Sequence, residues 1–154
     1  MTNNDRGGES KLSDKKRLRD ITWNDYGISE YRYRELKNFC LQYLEKKEQL
    51  NYGLQSRGYD GVRSGQVNKP TEGMAIENIR FSADCNLIEA CAKEASVEIW
   101  PWILKSVTEG LPYEDLAIDG YLGMVPICRN DFYGLRRRFY SILDARKKQN
   151  WGTN

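Results

Sequence analysis

Apolar residues recur at spacings of three and four along most of this chain of 154 residues, the period of an α-helix with one buried face. The clearest case runs from Asn130, the predicted N-cap, to Lys148. Its buried stripe is predicted to consist of Phe132, Leu135, Phe139, Ile142 and Leu143. The outward face is predicted to carry Tyr133, Arg136, Arg137, Tyr140 and Ser141. An apolar stripe opposite an arginine-rich face is typical of a DNA-recognition helix.

A first long helix is predicted in the N-terminal half. Ser29 is its N-cap, and the helix runs to about Leu50 with Leu36, Phe39 and Tyr43 on one side. The alternating three/four spacing of those three residues also raises the hypothesis that a second copy packs there and forms a homodimer.

Three further helices are predicted before the basic one. Thr71 caps a helix that runs to about Ala95, with an inner stripe of Ile76, Ile79, Ala83, Leu87, Ala90 and Cys91. Ser96 begins the next helix, Gly110 ends it, and Pro101 either kinks it or lies in its first turn. A short helix follows Pro112, with Tyr113, Leu116 and Ala117 facing inward.

These elements predict an all-α protein in four sections. Residues 1–22 are too polar to offset the entropy of ordering and are predicted to be a disordered tail. Residues 23–50 form the N-terminal helix, residues 51–70 a Gly-rich linker, and residues 71–150 a helical domain. Within that domain, residues 111–148 have the order of a helix-turn-helix, an order that a generic helical hairpin shares.

The distribution of charge changes the picture of the C-terminal helix. The formal net charge is only +2, but Arg129–Lys148 holds seven Lys/Arg against two acids, net +5. Residues 21–128 are net −5 and residues 1–20 are net +2. A basic element on an acidic body favours a polyanionic partner for that element. Cations that solvate a surface helix and complement its dipole are the alternative.

Several function classes have no support in the composition. The four cysteines are scattered without a CxxC pair and the chain has no histidine, so neither a metal site nor a Cys/His nucleophile is expected. The thiols are expected to be buried. With no phosphate-cradling glycine motif either, we expect no enzyme activity and no cofactor. No apolar run approaches the length of a membrane span, and the expected location is the cytoplasm.

Three segments carry a resemblance to a known family: YGISEYRYRELKNFCLQY (residues 26–43), EIWPWILKSVTEGLPYEDL (98–116) and VPICRNDFYGLRRRFYSIL (125–143). They resemble small phage and prophage proteins of Gram-positive bacteria, and among these the ArpU/RinA-type regulators of phage late genes. The resemblance covers about residues 23–146. It implies a transcription regulator whose C-terminal part is similar to the helix-turn-helix of sigma-factor region four, with its recognition helix at Asn130–Arg146.

Duplex DNA is therefore the expected partner. The expected DNA-binding residues are Arg129, Asn130, Tyr133, Arg136, Arg137, Arg138, Tyr140, Arg146, Lys147 and Lys148. Asn130, Tyr133 and Arg136 are expected to reach base edges, and the later cations to neutralise phosphates.

Other function classes remain open at this point. One is a protein-interaction module that binds RNA polymerase or another phage or host protein. Another is an inhibitor of a nucleic-acid enzyme. The third is a ring-forming DNA-packaging protein like a small terminase subunit.

Overall fold

The computed structural model describes residues 16–55, 72–116 and 122–152, and all the regular structure in them is helical. A 3-10 turn at Leu18–Asp20 precedes six α-helices. They are α1 (Glu30–Leu41), α2 (Tyr43–Gln55), α3 (Glu72–Ala95), α4 (Trp100–Glu109), α5 (Tyr113–Leu116) and α6 (Arg129–Trp151). The predicted all-α class is confirmed.

The long basic helix α6 lies at the centre of the fold. It packs against α1, α3, α4, α5 and the 3-10 turn. Phe132, Phe139 and Leu143 are fully buried as predicted, and Leu135 and Ile142 are partly buried against the same core. The helix begins at Arg129 with Cys128 as its N-cap, so the prediction that Asn130 caps it is wrong.

The predicted N-terminal helix is two helices. Ser29 caps α1 by accepting a hydrogen bond from the backbone N–H of Arg32, as predicted. The chain turns at Gln42, and α2 continues to Gln55, so residues 51–55 of the predicted linker are helical. Residues 56–70 of that linker lie outside the described residues. Leu36 is fully buried and Tyr43 nearly so. Their own chain covers these two residues, whereas Phe39 of the same stripe is only partly buried, and the hypothesised dimer stays a prediction.

Only part of the stripe predicted for α3 is buried: Cys91 is fully buried and Leu87 packs against the core, as predicted, but the first half of the stripe is not buried. Ile76 and Ile79 are 47% and 69% exposed, and Ala83 is exposed too. The side that packs carries Cys85, Ile88, Cys91, Ala92 and Ala95. Small residues allow neighbouring helices to approach closely, and this face combines Ala and Cys with the fully buried Ile88, while Ile76 and Ile79 stay outside. The predicted cap Thr71 lies outside the described residues.

The ends of α4 follow local sequence signals. Ser96 accepts a hydrogen bond from the backbone N–H of Ile99 at 3.3 Å, but the helix itself begins only at Trp100. Pro101 lies in the first turn and not at a kink, and Gly110 ends the helix at φ 71°, as predicted. Leu116 is buried and Tyr113 is partly buried in α5, whereas Ala117 lies outside the described residues.

The cysteines are all free thiols within this fold. Cys40, Cys85 and Cys91 are buried, as predicted, and burial raises the pKa of each thiol. Cys128 is exposed at the start of α6, so the prediction of burial is wrong there.

Residues 16–22, which we call the strap, lie against the outside of α6. The strap includes the 3-10 turn Leu18–Asp20, and its backbone passes directly over Gly134. The prediction of a disordered tail is therefore wrong for residues 16–22, while residues 1–15 lie outside the described residues. The strap is held by contacts far away in sequence, which composition alone does not reveal.

An ion pair between α1 and α6 provides a first prediction. Asp144 is buried, and Arg32 Nε donates to its Oδ1 at 2.6 Å. Burial by itself would raise the pKa of Asp144, but hydrogen bonds from Lys148 and Arg32 outweigh it and hold the pKa below its usual value. A carboxylate with a lowered folded pKa adds stability above its unfolded pKa, and that stability is lost as pH falls through the folded one.

Asp144→Asn is therefore expected to lower the free energy of unfolding by about 2 kcal/mol at neutral pH. This is more than an exposed pair contributes and less than a fully buried one. The difference from wild type should shrink as pH falls below about 4, measured by urea unfolding at a series of pH values. The control is Glu30→Gln, whose exposed partner is Arg34. If the difference in unfolding free energy between Asp144→Asn and wild type stayed constant down to the lowest pH, the lowered pKa of Asp144 would be contradicted.

Candidate nucleic-acid interface

The ten predicted contact residues occupy different environments on α6. Those with exposed side chains are Arg129, Asn130, Arg138 and Lys148. Those that are half-buried are Tyr133, Arg136, Arg137, Arg146 and Lys147. The remaining one, Tyr140, is fully buried.

Tyr140 belongs to the core, and its prediction as an outward DNA contact is wrong. Its ring lies 5.1 Å from Tyr33, 5.1 Å from Phe139 and 5.9 Å from Trp23 between centroids. Burial raises the pKa of its phenol, and the hydroxyl has no hydrogen-bond partner among the described residues. The segment around Trp23 and α1 covers a second side of α6, so the buried arc of the helix is wider than its apolar stripe.

Tyr133 and Arg136 are partly engaged by the protein itself. The Tyr133 hydroxyl accepts a hydrogen bond from the backbone N–H of Tyr113 at 3.1 Å, and its ring lies under the guanidinium groups of Arg129 and Arg136. Arg136 also donates to the Tyr33 hydroxyl at 3.5 Å. These contacts orient the side chains and leave little freedom for reading bases.

The cations in the last turns of α6 contact other groups of the protein, Arg146 and Lys147 on other helices and Lys148 within α6. Arg146 pairs with Glu94 of α3, and Lys148 with Asp144 at 2.7 Å. The Lys147 ammonium lies 3.6 Å from the centre of the Phe39 ring, and burial lowers its pKa. Lys147 is thus partly buried and Lys148 faces a buried carboxylate, whereas the Arg146–Glu94 pair is as exposed as the pairs near the start of the helix.

Arg137 fastens the strap to α6. Its Nε donates to the backbone carbonyl of Ile21 at 2.8 Å, and its Nη2 donates to that of Arg19 at 2.7 Å. Gly134, one turn earlier, permits this approach, because a Cβ there would lie 2.9 Å from Arg19 Cα. Both acceptors are neutral carbonyls, so neither one compensates the positive charge of the guanidinium.

A cleft of about 380 Å³ lies between the strap and the first turns of α6. Its lining residues are Arg19, Asp20, Arg129, Asn130, Tyr133 and Arg137. Three guanidinium groups therefore surround one open space with a single lining carboxylate. Arg129 reaches Glu114 at 2.7 Å and Arg19 reaches Asp131 at 3.7 Å, both as exposed pairs. Exposed pairs of this kind contribute little free energy and exchange readily for another anion.

We call Arg17, Arg19, Arg129, Arg137 and Arg138 the arginine face. Arg138 lies one turn beyond Gly134, the glycine over which the strap passes, on the same side of α6. Burial raises the pKa of Tyr26, and the charge of Arg138 offsets part of that rise. Within the described parts of the chain, Arg17, Arg137 and Arg138 form no ion pair with a carboxylate. Sequence reasoning missed Arg17 and Arg19 because it assigned both to the tail; the net charge of +2 over residues 1–20 was their only signal.

Other kinds of site are not seen in the described ranges. No cluster of three or more potential metal ligands occurs there. None of the helices in these ranges combines the length and the apolar character needed to cross a membrane. Comparison of the chain with protein-family models, curated proteins and solved structures finds no match.

Proposed function

We propose that the protein binds duplex DNA through the arginine face and acts as a phage-encoded transcription regulator. The observation that carries the proposal is that Arg19, Arg129 and Arg137 line one cleft between the strap and α6. Arg17 and Arg138 lie on the same two elements, and they and Arg137 have no carboxylate partner in the described residues. Guanidinium groups suit phosphate because their forked donors match its oxygens. The role in transcription rests on the resemblance to the ArpU/RinA-type regulators.

In this mechanism the arginines provide affinity and the exposed start of α6 provides base contacts. Arg17, Arg137 and Arg138 neutralise phosphates, so binding weakens as salt rises. Asn130 is exposed beside the cleft, and an asparagine amide suits bidentate contact with adenine. The site thus differs from the one predicted from the sequence: it includes the strap and excludes Tyr140.

Fluorescence anisotropy with random-sequence duplex DNA tests the proposal. Arg17→Ala/Arg138→Ala is expected to weaken binding at least ten-fold at about 50 mM salt and to reduce the slope of log affinity against log salt by about two. Neither side chain forms a hydrogen bond or ion pair within the described residues, so we expect folding to be unaffected. Substituting Arg136 and Arg137 together would confound binding with the loss of contacts to Tyr33 and the strap.

The matched control is Arg34→Ala/Arg80→Ala, which removes the same charge from exposed positions of α1 and α3. It should leave affinity within about two-fold of wild type. Equal losses of DNA affinity in the two double variants would mean that binding depends only on net charge. An affinity that does not change with salt concentration would refute the proposal.

A second candidate function, protein interaction, is favoured by an apolar groove of about 460 Å³ on the side of α2 and α4. Leu44, Trp100, Pro101, Leu104 and Leu122 are among its lining residues, and Leu44 is half exposed. Exposed apolar surface of this kind is a feature of protein-binding sites. If the protein fails to bind DNA at low salt, this groove becomes the better guide to function.

A further inference from the structure

We propose that the cleft between the strap and α6 is a binding site for a single phosphate group, and that the bound phosphate holds the strap on α6. The inference rests on the proposed function, since it assigns one part of the arginine face to one phosphate. It goes further by making the strap a component of the site.

The donors of the cleft come from two segments distant in sequence. Arg19 belongs to the strap, whereas Arg129 and Arg137 belong to α6. A guanidinium has five N–H donors. Arg137 donates from Nε and Nη2 to strap carbonyls, which fixes the plane of the guanidinium, and its Nη1 has no partner among the described residues. Arg129 pairs through Nε with an exposed carboxylate, and in the same part of the chain its two terminal nitrogens have no hydrogen-bond partner.

The charges around the cleft favour an anion with several oxygens. Asp20 is the one carboxylate that lines the cleft, while Arg129 and Arg19 reach Glu114 and Asp131 as exposed pairs. Arg137 has no carboxylate partner in the described residues. A bound anion can replace the exposed carboxylates, because such pairs contribute little free energy, and it adds a partner for Arg137. A phosphate presents acceptors to several guanidinium groups at once, and arginine–phosphate pairs are frequently bidentate.

The strap and the phosphate are thermodynamically linked. Arg137 binds the strap by donating hydrogen bonds to the carbonyls of Arg19 and Ile21. Arg19 also contributes its own guanidinium to the cleft. The complete site exists only while the strap is docked. A ligand that binds only the docked state stabilises it, and the docked strap in turn raises the affinity for the ligand.

Hydrogen exchange of the strap amides tests this linkage on the full chain. The amide of Asp20 donates to the Arg17 carbonyl at 2.8 Å and reports on the strap. Inorganic phosphate at ten times its dissociation constant is expected to slow this exchange by about eleven-fold. Sodium chloride at matched ionic strength should not slow the exchange. Arg19→Ala should abolish the effect, while Arg80→Ala, outside the cleft, should keep it.

The same hydrogen-exchange experiment is repeated with a DNA duplex that has 5′-hydroxyl ends. The only phosphates of this duplex are backbone diesters. Slowed strap exchange with this duplex would identify the source as the DNA backbone, and an effect of inorganic phosphate alone would identify a free phosphate site. If the duplex binds by anisotropy but neither ligand slows strap exchange, the inference fails while the proposed function stands. If phosphate slows exchange but no duplex binds, the proposed function fails and the phosphate site stands.

Discussion

Tyr140→Ala is expected to lower the free energy of unfolding by about 3–5 kcal/mol. The ring is fully buried among Trp23, Tyr33 and Phe139, so its removal leaves a cavity at the point where three chain segments meet. Urea unfolding should show a lower midpoint with an unchanged m-value.

The Tyr140→Phe variant separates the contribution of ring packing to stability from that of the hydroxyl group. The hydroxyl is buried without a hydrogen-bond partner in the described residues, so its deletion removes a desolvated polar group. We expect this variant to be as stable as wild type or more stable, and to bind DNA with unchanged affinity. Tyr31→Ala, at a position 79% exposed, is the control for tyrosine loss and should change stability by no more than about 0.5 kcal/mol. A large loss of DNA affinity in a stable Tyr140→Phe variant would restore the outward role predicted from the sequence.

Gly134→Ala is expected to detach the strap from α6. The added Cβ would lie 2.9 Å from Arg19 Cα and 3.0 Å from both Arg19 N and Leu18 O, all of them backbone atoms that no rotamer change can move. Relative to glycine, alanine stabilises the helix itself by about 1 kcal/mol. The strap, however, would lose the two charged hydrogen bonds from Arg137, each contributing about 1.5–3 kcal/mol. We therefore expect strap docking to weaken by about 3 kcal/mol.

Hydrogen exchange of the strap amides measures this effect, since about 3 kcal/mol corresponds to exchange roughly a hundred-fold faster. Gly73→Ala is the matched control, because Gly73 is also helical and a Cβ there meets nothing within 4 Å. It should leave the strap unchanged. If the cleft binds phosphate, Gly134→Ala should also lose that binding although every arginine remains. Unaltered strap exchange in Gly134→Ala would show that the strap accommodates a side chain at this position.

The arginine face was only partly predictable. Arg129, Arg137 and Arg138 were identified as candidate contacts from the basic character of the last helix, and Asn130 was identified with them. The strap was not identified from the sequence, because residues 16–22 have too little apolar surface to predict an ordered segment. Their docking depends on Arg137 and on the absence of a side chain at Gly134. These partners lie more than a hundred positions away, and local composition carries no information about them.

The sequence by itself determined the all-α class, the Ser29 cap, the αL end of α4 at Gly110 and the burial of Phe132 and Phe139. These features depend on interactions within a few residues or on one helical period, so a local pattern is sufficient to predict them. Tertiary structure alone decided which face of α3 packs, that Tyr140 faces inward, and that the strap shares a cleft with α6. Each of those depends on how closely two distant segments approach, which is set by the side chains of both.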